Sequence, residues 1–118
     1  MANFLVVDDD DSRLILSIML EEYQKIQLIE LRDADAQLIR ETIDNNDDIV
    51  AIFTELRMSK MSGFELFDQV KDYGIPVFAF TIHIDLIDKA LSYGFTDILE
   101  KPIEERDFDA IIASLDLA

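Results

Sequence analysis

Residues 4–11, Phe-Leu-Val-Val-Asp-Asp-Asp-Asp, join four apolar residues directly to four aspartates. A short apolar run of this kind is typical of a strand in a parallel sheet that is covered on both faces. In open parallel sheets, ligands bind beyond the carboxyl ends of the strands. The stretch therefore predicts a buried strand that delivers carboxylates to one edge of a sheet.

Four further apolar runs follow, and they alternate with amphipathic stretches of helical length. This alternation predicts an α/β fold, a doubly wound five-stranded parallel sheet with five helices. The predicted strands are residues 4–7, 27–31, 49–54, 77–81 and 97–99. The predicted helices begin near residue 11 or 12, run over about 35–45, follow residues 62–63, run over about 85–93 and follow Pro102.

Length and composition define the class of protein. A chain of 118 residues with 50% hydrophobic content has room for one domain, so residues 1–118 are predicted to form a single unit. The absence of cysteine excludes disulfides, zinc-thiolate sites and thiol catalysis. No apolar run reaches membrane-spanning length and Met1-Ala2-Asn3 carries no basic charge, so we expect a cytoplasmic protein with no membrane association.

The charge balance is strongly acidic, with 26 acidic against 10 basic residues and a formal net charge of −16. Such a surface repels phosphate backbones and anionic lipid headgroups. Direct binding to nucleic acid is therefore disfavoured. The excess charge serves solubility, although acids gathered at one point could also hold a divalent cation.

The first predicted helix carries apolar residues on two sides. Leu14 and Ile18 lie roughly opposite its predicted buried face, and they mark either a contact patch or a broad core face. The predicted buried face consists of Ile15, Leu16, Met19, Leu20 and Tyr23.

Polar residues end four of the predicted strands. Carboxylates at Asp8, Asp9 and Glu55 meet the Thr81 hydroxyl and the Lys101 ammonium at one edge, an arrangement suited to a divalent cation and a phosphoryl group. For Asp8 and Asp9 the alternative is an acidic cap on the first helix.

These residues fall within four motifs in a fixed order. They are residues 4–10, FLVVDDD; residues 55–66, ELRMSKMSGFEL; residues 76–81, PVFAFT; and residues 97–102, DILEKP. Together they resemble the receiver domain of two-component response regulators, and the resemblance covers the whole chain. It implies a flavodoxin-like arrangement of the sheet and helices.

The resemblance assigns roles to the matching residues. Asp8 and Asp9 correspond to the metal-binding acids, with Glu55 as a further ligand, so weak Mg²⁺ binding is expected. Thr81 corresponds to the hydroxyl that moves toward the phosphoryl group, and Lys101 to the lysine that pairs with it.

Glu55 is the main departure from the family, because receivers have there the aspartate that forms an acyl phosphate. The side chain is one methylene longer, and such a displacement can slow an in-line transfer by roughly a hundredfold or more. Phosphorylation is therefore predicted to be weak or absent. Glu55 could instead act as a fixed signal, could be a lost function paired with Lys101, or could be an engineered Asp-to-Glu change.

Other departures surround the same edge. Ser59 replaces the usual loop proline, Ile98 replaces the aromatic residue that reports activation, and the segment 81–94 is somewhat short. They argue for an output face that does not switch in the standard way.

Two functions remain, and in both we expect the chain to be a signalling domain and not an enzyme. His83, the one histidine, lies near the pocket mouth without a triad partner, and no glycine-rich phosphate loop occurs. The first function is an interaction module that binds a sensor histidine kinase or a downstream output protein. The second is an active receiver that takes a phosphoryl group from a histidine kinase with Mg²⁺. A homodimer through helix 1 or through the face of helix 4, strand 5 and helix 5 is a further expectation.

Overall fold

A computed structural model describes residues 2–8 and 12–117. Its five strands form one sheet in the order β2-β1-β3-β4-β5, with every neighbouring pair parallel. This confirms the predicted doubly wound sheet. The strands are β1 Ala2–Val7, β2 Ile26–Leu31, β3 Ile49–Thr54, β4 Val77–Thr81 and β5 Asp97–Glu100.

Four α-helices connect the strands and a fifth follows β5, and local hydrogen bonds fix where two of them begin. The Asp35 carboxylate accepts a hydrogen bond from the Leu38 N–H at the start of α2, and Ser62 forms a capping box with Glu65 at the start of α3. The helices are α1 Ser12–Met19, α2 Ala36–Asp44, α3 Gly63–Val70, α4 Ile87–Tyr93 and α5 Glu105–Ser114. No helix within residues 2–8 and 12–117 is both long and apolar enough to cross a membrane.

The sheet separates two hydrophobic cores, because successive side chains of a strand point to opposite faces. Leu5 and Val7 of β1 belong to the core beneath α2, α3 and α4, whereas Phe4 and Val6 belong to the core beneath α1 and α5. The second core is aromatic: the Phe53 ring stacks on Phe78, with centroids 5.1 Å apart. Burial on both faces explains why these strands read as unbroken apolar runs.

The predicted buried face of α1 needs one correction. Leu16 and Leu20 are buried, but Ile15 is 40% exposed. Ile15 lies about a quarter turn from Leu16 on a helix of 3.6 residues per turn, so it leaves the core-facing stripe. Together with Leu14 and Ile18 it forms an exposed apolar surface.

Three tyrosines join neighbouring helices through hydrogen bonds to aspartates. Tyr73, just after α3, donates to Asp44 of α2, and Tyr93 of α4 donates to Asp68 of α3. On the other face of the sheet, Tyr23 donates to Asp109 Oδ1 of α5 at 2.6 Å.

The aspartate partners also change the acidity of these phenols. The hydrogen bond to Asp109, with added desolvation, raises the pKa of Tyr23 to about 12. Hydrogen bonds to Asp44 and Asp68 likewise raise the pKa of Tyr73 and of Tyr93. Each contact therefore favours the neutral phenol.

Candidate functional site

Backbone hydrogen bonds fix the residues that follow three of the strands. The Asp8 N–H donates to Leu31 O of β2 at 3.2 Å, and the Glu55 N–H donates to Val7 O of β1 at 3.2 Å. The Lys101 N–H donates to Thr81 O of β4 at 3.0 Å. Each of these residues is therefore held by a neighbouring strand. As a result, the side chains that follow β1, β3 and β5 meet at one edge of the sheet.

The Lys101 ammonium links two carboxylates at this edge, those of Asp8 and Glu55. Its Nζ lies 3.2 Å from Asp8 Oδ2 and 3.3 Å from Glu55 Oε1. Asp8 is 1% exposed and Glu55 6%, so both carboxylates are removed from water and need compensating charge. Lys101 Nζ also lies 5.1 Å from the centroid of the Phe80 ring, a cation–π distance.

Both carboxylate oxygens of Glu55 are engaged. Oε1 accepts from Lys101, and Oε2 accepts from the backbone N–H of Leu56 at 2.6 Å. The extra methylene of glutamate, relative to aspartate, lets the carboxylate turn back onto the next residue of its own chain. The Glu55 carboxylate is therefore held at both of its oxygens.

The Thr81 hydroxyl is also held by the loop that follows β4. Thr81 is fully buried, and its Oγ1 accepts a hydrogen bond from the backbone N–H of His83 at 3.0 Å. The position of the hydroxyl is thus coupled to the loop between β4 and α4. His83 contributes here through its backbone.

The start of α3 packs tightly against the backbone of Glu55. The Gly63 N–H donates to Leu56 O at 2.9 Å, and a Cβ on Gly63 would lie 2.5 Å from Glu55 O. The Thr54 hydroxyl donates to that same carbonyl oxygen at 2.9 Å. Gly63 therefore permits the close approach that fixes the loop after β3.

The other residues that the sequence analysis singled out, Ser59, Ile98 and the segment 81–94, lie in three different surroundings. Ser59 Oγ is 3.4 Å from Asp33 Oδ1, so the loop after β3 contacts the loop after β2. Ile98 of β5 is partly buried against the core beneath α2, α3 and α4. The segment 81–94 contains the 3₁₀ turn Ile84–Leu86 and the seven-residue α4.

The fit of a divalent cation depends on oxygen ligands. Within residues 2–8 and 12–117, Asp8 and Glu55 supply two carboxylates here, and these residues contain no cluster of three or more metal-ligating side chains. Asp9, the third predicted ligand, lies outside the described residues. Oxygen ligands suit Mg²⁺, but an incoming cation would compete with the Lys101 ammonium for the same oxygens.

The structure thus brings together Asp8, Glu55, Thr81 and Lys101 at the predicted edge of the sheet. The sequence analysis missed the backbone amides of Leu56 and His83, for which no side-chain pattern gives a signal. It also missed the packing role of Gly63. That residue is one of three glycines in the chain and follows a helix cap, which could have marked it.

Solved structures of receivers share this architecture. A response regulator from Chloroflexus aurantiacus aligns with a TM-score of 0.81 at 20% identity, covering 97% of this chain and 96% of that chain. A two-component response regulator from Clostridium difficile gives 0.80 at 24% identity, covering 98% and 95%. A receiver domain from Clostridium thermocellum gives 0.78 at 23% identity, covering 98% and 94%. At these identities, the similarity establishes the fold.

Comparison with protein families identifies the family of this chain. The model of the response regulator receiver domain matches residues 4–113. Comparison with curated proteins finds no match. The chain belongs to the response regulator receiver family, the class of domain used in two-component signalling.

Proposed function

We propose that this chain is an atypical receiver that signals through protein contacts, with phosphorylation at Glu55 weak or absent. The observation that carries this proposal is the engagement of both Glu55 oxygens, by the Lys101 ammonium and the Leu56 N–H. A carboxylate that is to attack a phosphoryl group must present a free oxygen in line with the leaving group.

The geometry gives two physical reasons for slow transfer. A Glu55 oxygen must first leave a hydrogen bond, in a site where Glu55 is 6% exposed and water offers little replacement. The longer side chain also displaces the reacting oxygen from the position that an aspartate would take. A misplacement of this size can lower the rate by roughly a hundredfold.

Charge supports an unswitched state for this edge. Glu55 carries one negative charge, against roughly −1.5 to −2 for a phosphoryl group. That charge is balanced by Lys101 at 3.3 Å, while Thr81 accepts its hydrogen bond from the loop amide of His83. Glu55 thus acts as a structural partner of Lys101, and the signal depends on which protein is bound.

The family indicates the kind of partner. Receiver domains interact with kinases or with output domains, so we propose a sensor histidine kinase or an output protein in the cytoplasm. The domain acts as a non-enzymatic module in this scheme. Mg²⁺ binds weakly, through Asp8, Asp9 and Glu55, because Lys101 already compensates the described carboxylates.

Incubation with acetyl phosphate and Mg²⁺, followed by intact-mass spectrometry, tests the proposal. We expect no phosphoryl adduct on the chain as it stands and no change in its amide NMR spectrum with beryllofluoride. A stoichiometric adduct on Glu55 would establish the competing function, an active receiver that accepts a phosphoryl group from a histidine kinase.

A further inference from the structure

Met58 lies in the loop after β3, and its thioether contacts the last residue of that strand. Met58 Sδ is 3.9 Å from Thr54 Oγ1, at the distance of a weak hydrogen bond to sulfur. The side chain also packs against the core beneath α2, α3 and α4. Met58 is only half-buried, whereas Met61 of the same loop is 8% exposed. A hydroperoxide in solution can therefore reach the sulfur of Met58.

The Thr54 hydroxyl has one proton and two acceptors within reach. Its Oγ1 is 2.9 Å from Glu55 O and 3.9 Å from Met58 Sδ. Because a thioether is a weak acceptor, the proton stays with the carbonyl oxygen. Thr54 is fully buried, so water offers no further acceptor. The bond to Glu55 O therefore lasts as long as the sulfur remains the weaker competitor.

The carbonyl that Thr54 holds belongs to the same peptide group as the N–H that holds the Glu55 carboxylate. Glu55 O and the Leu56 N–H lie on one planar unit, and the Leu56 N–H donates to Glu55 Oε2 at 2.6 Å. A rotation of this peptide group moves both atoms at once. The Thr54 hydroxyl thus helps to fix the amide that binds the carboxylate of the site.

We propose that Met58 is an oxidation site, through which a hydroperoxide releases the Glu55 carboxylate from the Leu56 N–H. With hydrogen peroxide, one oxygen forms a bond to Sδ while the O–O bond breaks, and the other oxygen leaves with both hydrogens as water. The sulfur loses two electrons and the peroxide gains them. The product is methionine sulfoxide, which methionine sulfoxide reductases convert back to methionine.

Oxidation reverses the competition for the Thr54 proton. The sulfoxide oxygen is polar, whereas the thioether is apolar and accepts weakly. The proton therefore moves to the sulfoxide, Glu55 O loses its bond, and the peptide group between Glu55 and Leu56 turns. The Glu55 carboxylate then keeps Lys101 at 3.3 Å as its charged partner. This goes beyond the proposed function, because it supplies a chemical signal that needs no phosphoryl donor.

The test treats the whole chain with hydrogen peroxide. Peptide mass spectrometry gives the oxidation rate of each methionine, and amide NMR spectra compare the oxidised and untreated protein. Met58→Leu removes the sulfur and keeps the volume of the side chain. Met19→Leu is the matched control, because Met19 is also half-buried but packs against the core on the other face of the sheet.

We expect Met58 to gain an oxygen at least about tenfold faster than Met61, because oxidation follows exposure. The amide signal of Leu56 should then shift to lower frequency, as it loses a short hydrogen bond to a carboxylate. A methionine sulfoxide reductase with a thiol reductant should restore the original spectrum. Peroxide should leave the Leu56 signal unchanged in Met58→Leu and should still shift it in Met19→Leu.

A second variant tests the role of the hydroxyl. Thr54→Val removes the proton that Glu55 O and Met58 compete for, and it changes the shape of the side chain little. The Leu56 signal of this variant should therefore already be shifted before peroxide is added. Oxidation of its Met58 should shift that signal little further.

Several results would overturn the inference. They are oxidation of Met58 no faster than that of Met61, an oxidised Met58 with an unchanged Leu56 signal, and a peroxide-dependent shift that persists in Met58→Leu. Loss of the whole dispersed spectrum on oxidation of Met58 would also overturn it, because it would show unfolding in place of a local release. No phosphoryl donor is present in these experiments, so the inference and the proposed function can fail separately.

Discussion

Lys101 Nζ lies 3.3 Å from Glu55 Oε1 and 3.2 Å from Asp8 Oδ2, so one ammonium compensates two buried carboxylates. Removing one member of such a group leaves charge in a site that water reaches poorly. Lys101 therefore has a structural role that is independent of any signalling role.

Replacing Lys101 by methionine tests that role. We expect the free energy of unfolding to fall by about 3 kcal/mol, because the buried Asp8 and Glu55 carboxylates then lose the ammonium that pairs with both of them. Urea denaturation followed by far-ultraviolet circular dichroism measures the change. Arg106→Met, which removes ion pairs of exposed side chains, is the control and should change stability little. Equal losses in the two variants would show that the Lys101 contacts contribute no more than surface pairs.

Metal binding should depend on Lys101 in a predictable direction. In Lys101→Met, Mg²⁺ no longer competes with an ammonium for Asp8 and Glu55, so Mg²⁺ should raise the Tm of this variant more than that of the unchanged chain. The further change Glu55→Gln should remove most of the difference, because it removes one carboxylate. Identical Mg²⁺ responses in all three proteins would contradict metal binding at this edge.

Phosphorylation should depend on the length of the side chain at residue 55. Glu55→Asp shortens the side chain by one methylene and, on the proposed function, restores the aspartate that the receiver resemblance implies, so acetyl phosphate with Mg²⁺ should give a phosphoryl adduct in intact-mass spectra. Glu55→Gln keeps the length of the glutamate side chain without its nucleophilic carboxylate oxygen, and should give none. If Glu55→Asp stays unmodified, the block lies elsewhere, for example in the hydrogen bond that holds Thr81.

Gly63 should tolerate no side chain. A Cβ there meets Glu55 O at 2.5 Å and the Cα of Leu56 at 3.0 Å, both backbone atoms that cannot move away cheaply. Gly63→Ala should therefore cost about 2 kcal/mol or more in urea denaturation. Gly74→Ala is the matched comparison, since Gly74 has a φ of 72° but open space around it, and should cost only about 1 kcal/mol. The reverse order would contradict the packing argument.

Alkaline pH should weaken the domain through its tyrosines. The hydrogen bond to Asp109 raises the pKa of Tyr23 from its ordinary value of 10.0 to about 12 in the folded chain. A raised folded pKa means that the stabilisation is fully present below pH 10 and is lost as the pH rises toward 12. Tyr23→Phe should thus be less stable near neutral pH and should show a smaller loss across that window. Urea midpoints measured against pH would refute this if the two curves ran parallel.

The fold was predictable from sequence because strands buried on both faces read as apolar runs, and the polar residues that end them mark one edge of the sheet. The meeting of Asp8, Glu55 and Lys101 followed from that rule. The return of Glu55 onto the Leu56 N–H could not be predicted, since it depends on a rotamer and a backbone amide. The predicted burial of Ile15 was wrong, because a short helix with apolar residues on several sides gives no sharp periodicity.

The carboxylate of Asp97, bonded to the Ile98 N–H, has a consequence for crowded solutions. An edge strand exposes unpaired backbone N–H and C=O groups, to which a strand of another molecule can bind. Amyloid-like stacks can begin in this way. On this side of the domain a newcomer would first have to displace a charged group that already occupies a donor. We therefore expect the Asp97 carboxylate to disfavour fibrous growth from β5.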